Sequence, residues 1–176
     1  MNKFFNIFLT VNGLGLNIFD GSMKKICCLL LLVAAGFTSV SQNNKIKNLD
    51  LFQFTSLIQQ PASQTTVINF WATWCKPCME ELHLFTELKK THPEVHIVLV
   101  NLDFEKFVRQ SLYPMLNDLK DCEVVRIHGL KDDEWIPIVD ADWDGAIPVT
   151  IIKKGESKNF IQGKIENLDS LKKLIL

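Results

Sequence analysis

Between Thr66 and Trp71 the chain reads TVINFW, a run that is apolar or β-branched except for Asn69, and four residues further on Cys75-Lys76-Pro77-Cys78 opens a segment of helical periodicity. A short run this dense has the pattern of a strand buried on both faces, as in the middle of a parallel sheet. From Cys75 to Thr91 the apolar positions Met79, Leu82, Phe85 and Leu88 recur at three- or four-residue steps. Pro77 falls in the first turn, where its missing N–H leaves nothing unpaired, so the spacing predicts an amphipathic helix ending near His92-Pro93. A buried strand running into such a helix requires a layered fold in which helices cover a sheet.

The remaining segments extend this alternation. Gln42 to Lys47 is polar and extended. Asp50 can cap a helix over LFQFTSLIQQ that stops before Pro61, and PASQ is a loop. Val95 to Asp103 is a second buried strand, Phe104 to Leu119 a helix that Pro114 should kink or end, and CEVVRI a third strand. A short helix around Trp135 follows. GAIPVTIIKKGESKNFIQG supplies two strands joined by a tight turn at Lys154 to Ser157, and ENLDSLKKLIL closes the chain as a helix. The expected architecture is α/β, with helices on both sides of a mainly parallel sheet that ends in an antiparallel hairpin.

With 176 residues the chain has room for one domain, and its formal net charge of −1 offers no basic stripe for nucleic acid. Its first forty residues are of a different kind. Met23, Lys24 and Lys25 precede an apolar stretch from Ile26 to Phe37, and Ser39-Val40-Ser41 supply small residues, so residues 23–41 read as a signal peptide. The apolar stretch is shorter than the roughly 20 residues that span a bilayer, although an uncleaved tether is the alternative. Residues 1–22 fit neither pattern, and translation is expected to start at Met23. The mature domain is then residues 42–176. Loss of residues 1–41 removes Lys3, Lys24, Lys25 and Asp20, leaving 16 basic residues against 19 acidic, a net charge of −3. Cys27 and Cys28 leave with the signal, and Cys75, Cys78 and Cys122 remain.

The pair at Cys75 and Cys78 could be a redox couple, half of a metal site or two core cysteines. Cysteines three residues apart in a first helical turn face the same way, so their sulfurs can reach bonding distance. The helix dipole and free N–H groups stabilise a thiolate best at the residue where the helix begins, which is Cys75. Cys75 is therefore the expected attacking thiolate, exposed at the tip, and Cys78 the more buried resolving thiol. Lys76 adds positive charge and Pro77 stiffens the turn. A zinc site needs about four ligands. One Cys-x-x-Cys supplies two, and Cys122, His83, His92, His96 and His128 show no metal spacing relative to it. Cys122 reads as a buried free thiol, and neither a metal nor a cofactor is expected.

NFWATWCKPCMEE resembles the active-site signature of the thioredoxin superfamily, and its W-A-x-W-C-x-P-C form is similar to the exported TlpA/ResA-like branch. GAIPVT downstream supports the resemblance, which covers roughly Leu49 to Leu176. It implies a thioredoxin fold, a central mixed β-sheet flanked by helices, with a βα-type insertion before the cis-proline strand. By the same resemblance Pro148 follows a cis peptide and exposes the backbone of Ile147 to a substrate segment. Thioredoxins proper carry an aspartate where this chain has Asn69, which cannot accept a proton. Glu81 matches a glutamate of the ResA-like branch and is expected to take the proton of Cys78, while Glu80 reads as a solvated partner of lysine. His83 stands where the branch often has a proline.

Trp71 is expected to pack against the sheet, and Trp74 to shield Cys75 and meet the substrate. Asp142-Trp143-Asp144-Gly145 is placed along the same groove. The activity implied is that of an exported thiol-disulfide oxidoreductase, acting as a reductant kept reduced by a membrane thiol donor. Its partners would be cysteine-containing exported proteins, apocytochrome c among them. An oxidase or isomerase using the same pair, or a thioredoxin-fold binding module that turns nothing over, remain the alternatives.

Overall fold

In the computed structural model, residues 46–127 and 129–175 are described. The expected signal peptide, the N-terminal extension, Cys27, Cys28 and His128 lie outside them. A six-stranded sheet has the order β1-β4-β3-β2-β5-β6. Its strands are β1 (Lys47–Leu49), β2 (Ala62–Trp71), β3 (His96–Asn101), β4 (Glu123–Ile127), β5 (Val149–Gly155) and β6 (Ser157–Gln162). The first four in that order run parallel, and β5 and β6 are antiparallel to their neighbours. This is a thioredoxin fold.

Side chains alternate along β2, and that alternation divides the core. Val67 and Trp71 belong to the layer on one face, whereas Ile68 and Phe70 belong to the other. The first face is covered by α2 (Lys76–Thr91) and α6 (Leu168–Ile175), through Leu82, Phe85, Leu88, Leu171 and Ile175. On the opposite face lie α1 (Leu51–Gln59) and α5 (Asp132–Val139), which contribute Phe54, Ile58, Trp135 and Val139. Asp50 caps α1 in a reciprocal box with Gln53: its Oδ1 accepts from the Gln53 N–H at 2.8 Å. Lys153 fastens the other end of α1 to β5 by donating to the carbonyls of Leu57 and Gln60, both at 2.6 Å.

Several expectations are corrected. Lys47–Leu49 is an edge strand paired with β4, because parallel pairing with Val125 to Ile127 makes a ladder of a segment too short and polar to show a pattern of its own. PASQ is mostly strand: β2 begins at Ala62, with a register shift before Thr66 that lets it follow β5 to the hairpin end. Phe104 to Leu119 is not one helix. It is broken into α3 (Glu105–Phe107), a π-helical turn (Val108–Leu112), α4 (Tyr113–Met115) and turns up to the start of β4. Pro114 lacks an N–H and cannot continue an ordinary helical ladder, and the wide turn brings Val108 and Leu112 into the core on the α2 face. His83, by contrast, lies exposed on an unbroken α2. Among the described residues no helix is long and apolar enough to cross a membrane.

Candidate active site

Central strand β2 carries the chain out of the sheet at Trp71 and, four residues on, into α2. Cys75 is the N-cap of that helix and Pro77 lies in its first turn. Cys75 and Cys78 form a disulfide, and the Cys78 N–H also points at Cys75 Sγ at 3.3 Å. A backbone donor aimed at this sulfur from a helix N-terminus stabilises negative charge on it once the bond is reduced. The expectation that Cys75 is exposed needs correcting: it is 6% exposed and Cys78 fully buried. In the oxidised pair the Cys75 sulfur is turned toward its partner, and the Ile147 carbonyl oxygen lies 3.8 Å away.

That carbonyl belongs to a loop brought over the disulfide from the far end of the sequence. The Ile147–Pro148 peptide is cis. The loop is held by its own polar groups: Asp144 Oδ1 accepts from the Ala146 N–H, and the Trp143 indole N–H donates to the Ala146 carbonyl, both at 2.9 Å. Gly145 has φ +86°, a conformation that L side chains rarely adopt, so any substitution there is strained. Trp143 is thus misplaced by the sequence reading. It is buried among Phe70, Trp135 and Phe160 rather than lining a groove, because its ring completes the aromatic core on the α1 and α5 face.

Glu81 lies one helical turn beyond Cys78 on the same inward face of α2, and is 1% exposed. Alternation along β2 puts Asn69 on the face that α2 covers. Its Nδ2 donates to Glu81 Oε1 at 2.8 Å and to Thr150 Oγ1 at 3.0 Å. The other carboxylate oxygen accepts from the Ile165 N–H at 2.6 Å. Burial pushes the Glu81 pKa above the ordinary carboxylate value, and the bonds from Ile165 and Asn69 offset only part of that rise. Glu80 points outward and pairs with Lys164 at 3.2 Å, across the fold rather than along the helix.

On the other side of the disulfide, Asp103 was overlooked by the sequence reading. This buried carboxylate follows β3 and accepts from the Thr73 N–H at 2.8 Å and from the Thr73 hydroxyl at 3.0 Å. Asn101 and Arg126 hold it from behind, Asn101 through its side-chain amide and Arg126 through the Asp103 carbonyl. Asp103 therefore sets the path of the loop into Cys75. Asp103→Ala leaves the part-buried Thr73 N–H and hydroxyl without their acceptor, and the expected loss of unfolding free energy is about 2 kcal/mol, measurable by urea denaturation. Trp74, 53% exposed, stacks on Phe104 with centroids 6.3 Å apart, while Trp71 is wholly buried in the core.

Cys122 is buried and free, away from the pair, and burial pushes its thiol up to about 11. Among the described residues no group of three or more His, Cys, Asp or Glu is arranged to hold a metal.

Comparison with known proteins gives one consistent picture. A family model described as Thioredoxin matches residues 45–119. Thiol-disulfide oxidoreductase ResA of Geobacillus thermodenitrificans is 26% identical over 171 residues, covering 84% of this chain and 90% of that protein. Thioredoxin-like protein CXXS1 of Oryza sativa subsp. japonica is 32% identical over 107 residues, 56% of this chain and 80% of that protein. The crystal structure of a thioredoxin-related protein from Neisseria meningitidis serogroup B superposes with a TM-score of 0.53 at 22% identity, over 67% of this chain and 87% of that one.

Proposed function

This chain belongs to the thioredoxin superfamily, and we propose that it is a thiol-disulfide oxidoreductase that reduces substrate disulfides through Cys75 and Cys78. The observation that carries the reading is the placement of the pair: a disulfide at the N-terminus of α2, facing the Ile147 carbonyl of the cis-proline loop. In the reduced protein the Cys75 thiolate attacks one sulfur of the substrate disulfide, forming a mixed disulfide and releasing the other substrate sulfur as a thiolate. The Cys78 thiolate then attacks Cys75 Sγ. That step closes the Cys75–Cys78 disulfide and frees the second substrate thiol, so two electrons pass from the protein to the substrate. Glu81 takes the proton of Cys78 in the resolving step, and Ile147 and Pro148 guide the substrate backbone.

The reductive direction is what the resemblance of Trp71-Ala72-Thr73-Trp74-Cys75-Lys76-Pro77-Cys78 to the ResA-like branch implies. Export is supported by the basic, apolar and small-residue order of residues 23–41. On this reading the domain works outside the cytoplasm, free or tethered, on cysteine-containing exported proteins such as apocytochrome c, and a membrane thiol donor restores the dithiol. Equilibrating the couple against dithiothreitol tests the direction. A potential near about −270 mV is expected, and one near about −120 mV would mark an oxidant and overturn it.

A further inference from the structure

Phe104 is 63% exposed, yet its ring is held in place against two others: it lies 21° from parallel with Trp74 and packs tilted on Phe107 at 6.4 Å. Trp74 immediately precedes Cys75, so these rings form an apolar shelf beside the disulfide. Beyond the shelf lies a groove of about 270 Å3, with Phe104, Leu130 and Trp135 among its apolar walls. It opens outside the carboxyl ends of β3 and β4, along the sheet edge where β2 leads out toward Trp74 and Cys75. In open α/β sheets this edge is where ligands bind.

Three acidic residues line the groove, Asp103, Glu105 and Asp132, of which Asp103 turns its carboxylate to Thr73 and Asn101. Arg126 neutralises Glu105 in part, at 2.9 Å. Asp133 and Glu134 follow Asp132 in the first turn of α5 and add to the negative field. Asp132 is held in position by the Trp135 indole N–H, which donates to its Oδ1 at 3.1 Å. A side chain entering here meets aromatic walls first and an anionic rim beside them.

We infer that this groove, walled by Phe104, is a specificity subsite for the substrate polypeptide flanking its reacting cysteine, and that it takes an apolar side chain next to a cationic one. The inference rests on the oxidoreductase reading above. With its cysteine joined to Cys75 and its backbone beside Ile147, the substrate chain crosses the Trp74 ring, and its next residues reach Phe104. The groove is thus linked to the disulfide segment through the Phe104–Trp74 ring pair, and its charge selects a basic neighbour over an acidic one.

The test uses the full chain, reduced beforehand and freed of small-molecule thiol so that only Cys75 and Cys78 supply electrons, and follows in single turnovers the release of 2-nitro-5-thiobenzoate from short peptides whose cysteine is disulfide-linked to it. One peptide carries Leu and Lys beside the cysteine, a second replaces Leu by Gly, and a third replaces Lys by Glu. The expected second-order rate constant for the Leu-Lys peptide is about tenfold above either of the others. Phe104→Ala should bring the Leu-over-Gly ratio down to about two or less. Asp132→Asn, which keeps the acceptor for Trp135, should shrink the Lys-over-Glu ratio. Equal rates on all three peptides overturn the subsite and leave the oxidoreductase standing. A Phe104→Ala variant that slows every peptide by one common factor also overturns it. A wild-type protein that reduces none of them overturns both readings.

Discussion

Cys75→Ser is expected to abolish thiol-disulfide exchange, with a fall of at least about 1000-fold in turnover, the scale on which losing a covalent nucleophile acts. The serine hydroxyl stays protonated near neutral pH, and neither the helix N-terminus nor the donor at the Cys78 N–H can lower its pKa far enough to replace a thiolate. The partner variant behaves differently. Cys78→Ser keeps the attacking sulfur at the N-cap but has nothing to resolve the intermediate, so a one-to-one mixed disulfide should accumulate and be visible as added mass under non-reducing conditions. Retention of turnover by Cys75→Ser would remove the assignment of roles within the pair.

Glu81→Gln is expected to slow the resolving step about 100-fold at neutral pH, within the range general-base catalysis supplies. Glutamine nearly preserves shape, but its one acceptor oxygen can serve only one of the Ile165 and Asn69 donors, so the loss separates the proton-accepting role from packing only in part. The pH profile separates the two further. Glu81 ionises above the ordinary carboxylate range because it is buried, so wild-type resolution should rise with pH as that group loses its proton. The variant should lack that limb and respond only to thiol ionisation at higher pH.

Stability carries the same signature. A carboxyl whose folded pKa is raised holds its proton more tightly in the native state, so the native state binds more protons than the unfolded chain between the two pKa values. Unfolding free energy therefore falls as pH climbs from about 4.5 through the raised value and levels off above it. Glu81→Gln should flatten that decline in denaturant titrations taken at successive pH values. An unchanged slope together with an unchanged rate profile would reduce Glu81 to a packing residue.

Much of the fold could be read along the chain. The buried run into β2 and the periodic α2 are local patterns, as are the Asp50 cap and the β5–β6 hairpin, whose side chains and turns obey spacings of two to four residues. The Cys-x-x-Cys belongs with them, since its placement at a helix N-terminus follows from Pro77 and the apolar steps after it. Errors fell where no local pattern exists. Three-residue β1 is a strand only because β4 lies beside it, and Trp143 looked like a groove residue because its loop is polar on either side.

The groups that surround the disulfide come from five places in the chain: Asn69 on β2, Glu81 on α2, Asp103 and Phe104 after β3, Ile147 before β5, and Ile165 after β6. Sequence alone determined the strand, the helix and the sulfur pair between them, because backbone propensity and hydrophobic period act over a few residues. Only the tertiary structure decided that Asn69 and Ile165 grip Glu81, that Asp103 holds Thr73, and that Phe104 lies against Trp74. Those contacts depend on strand order and register, which bring together residues 12 to 84 positions apart in the chain, and no local spacing encodes that distance.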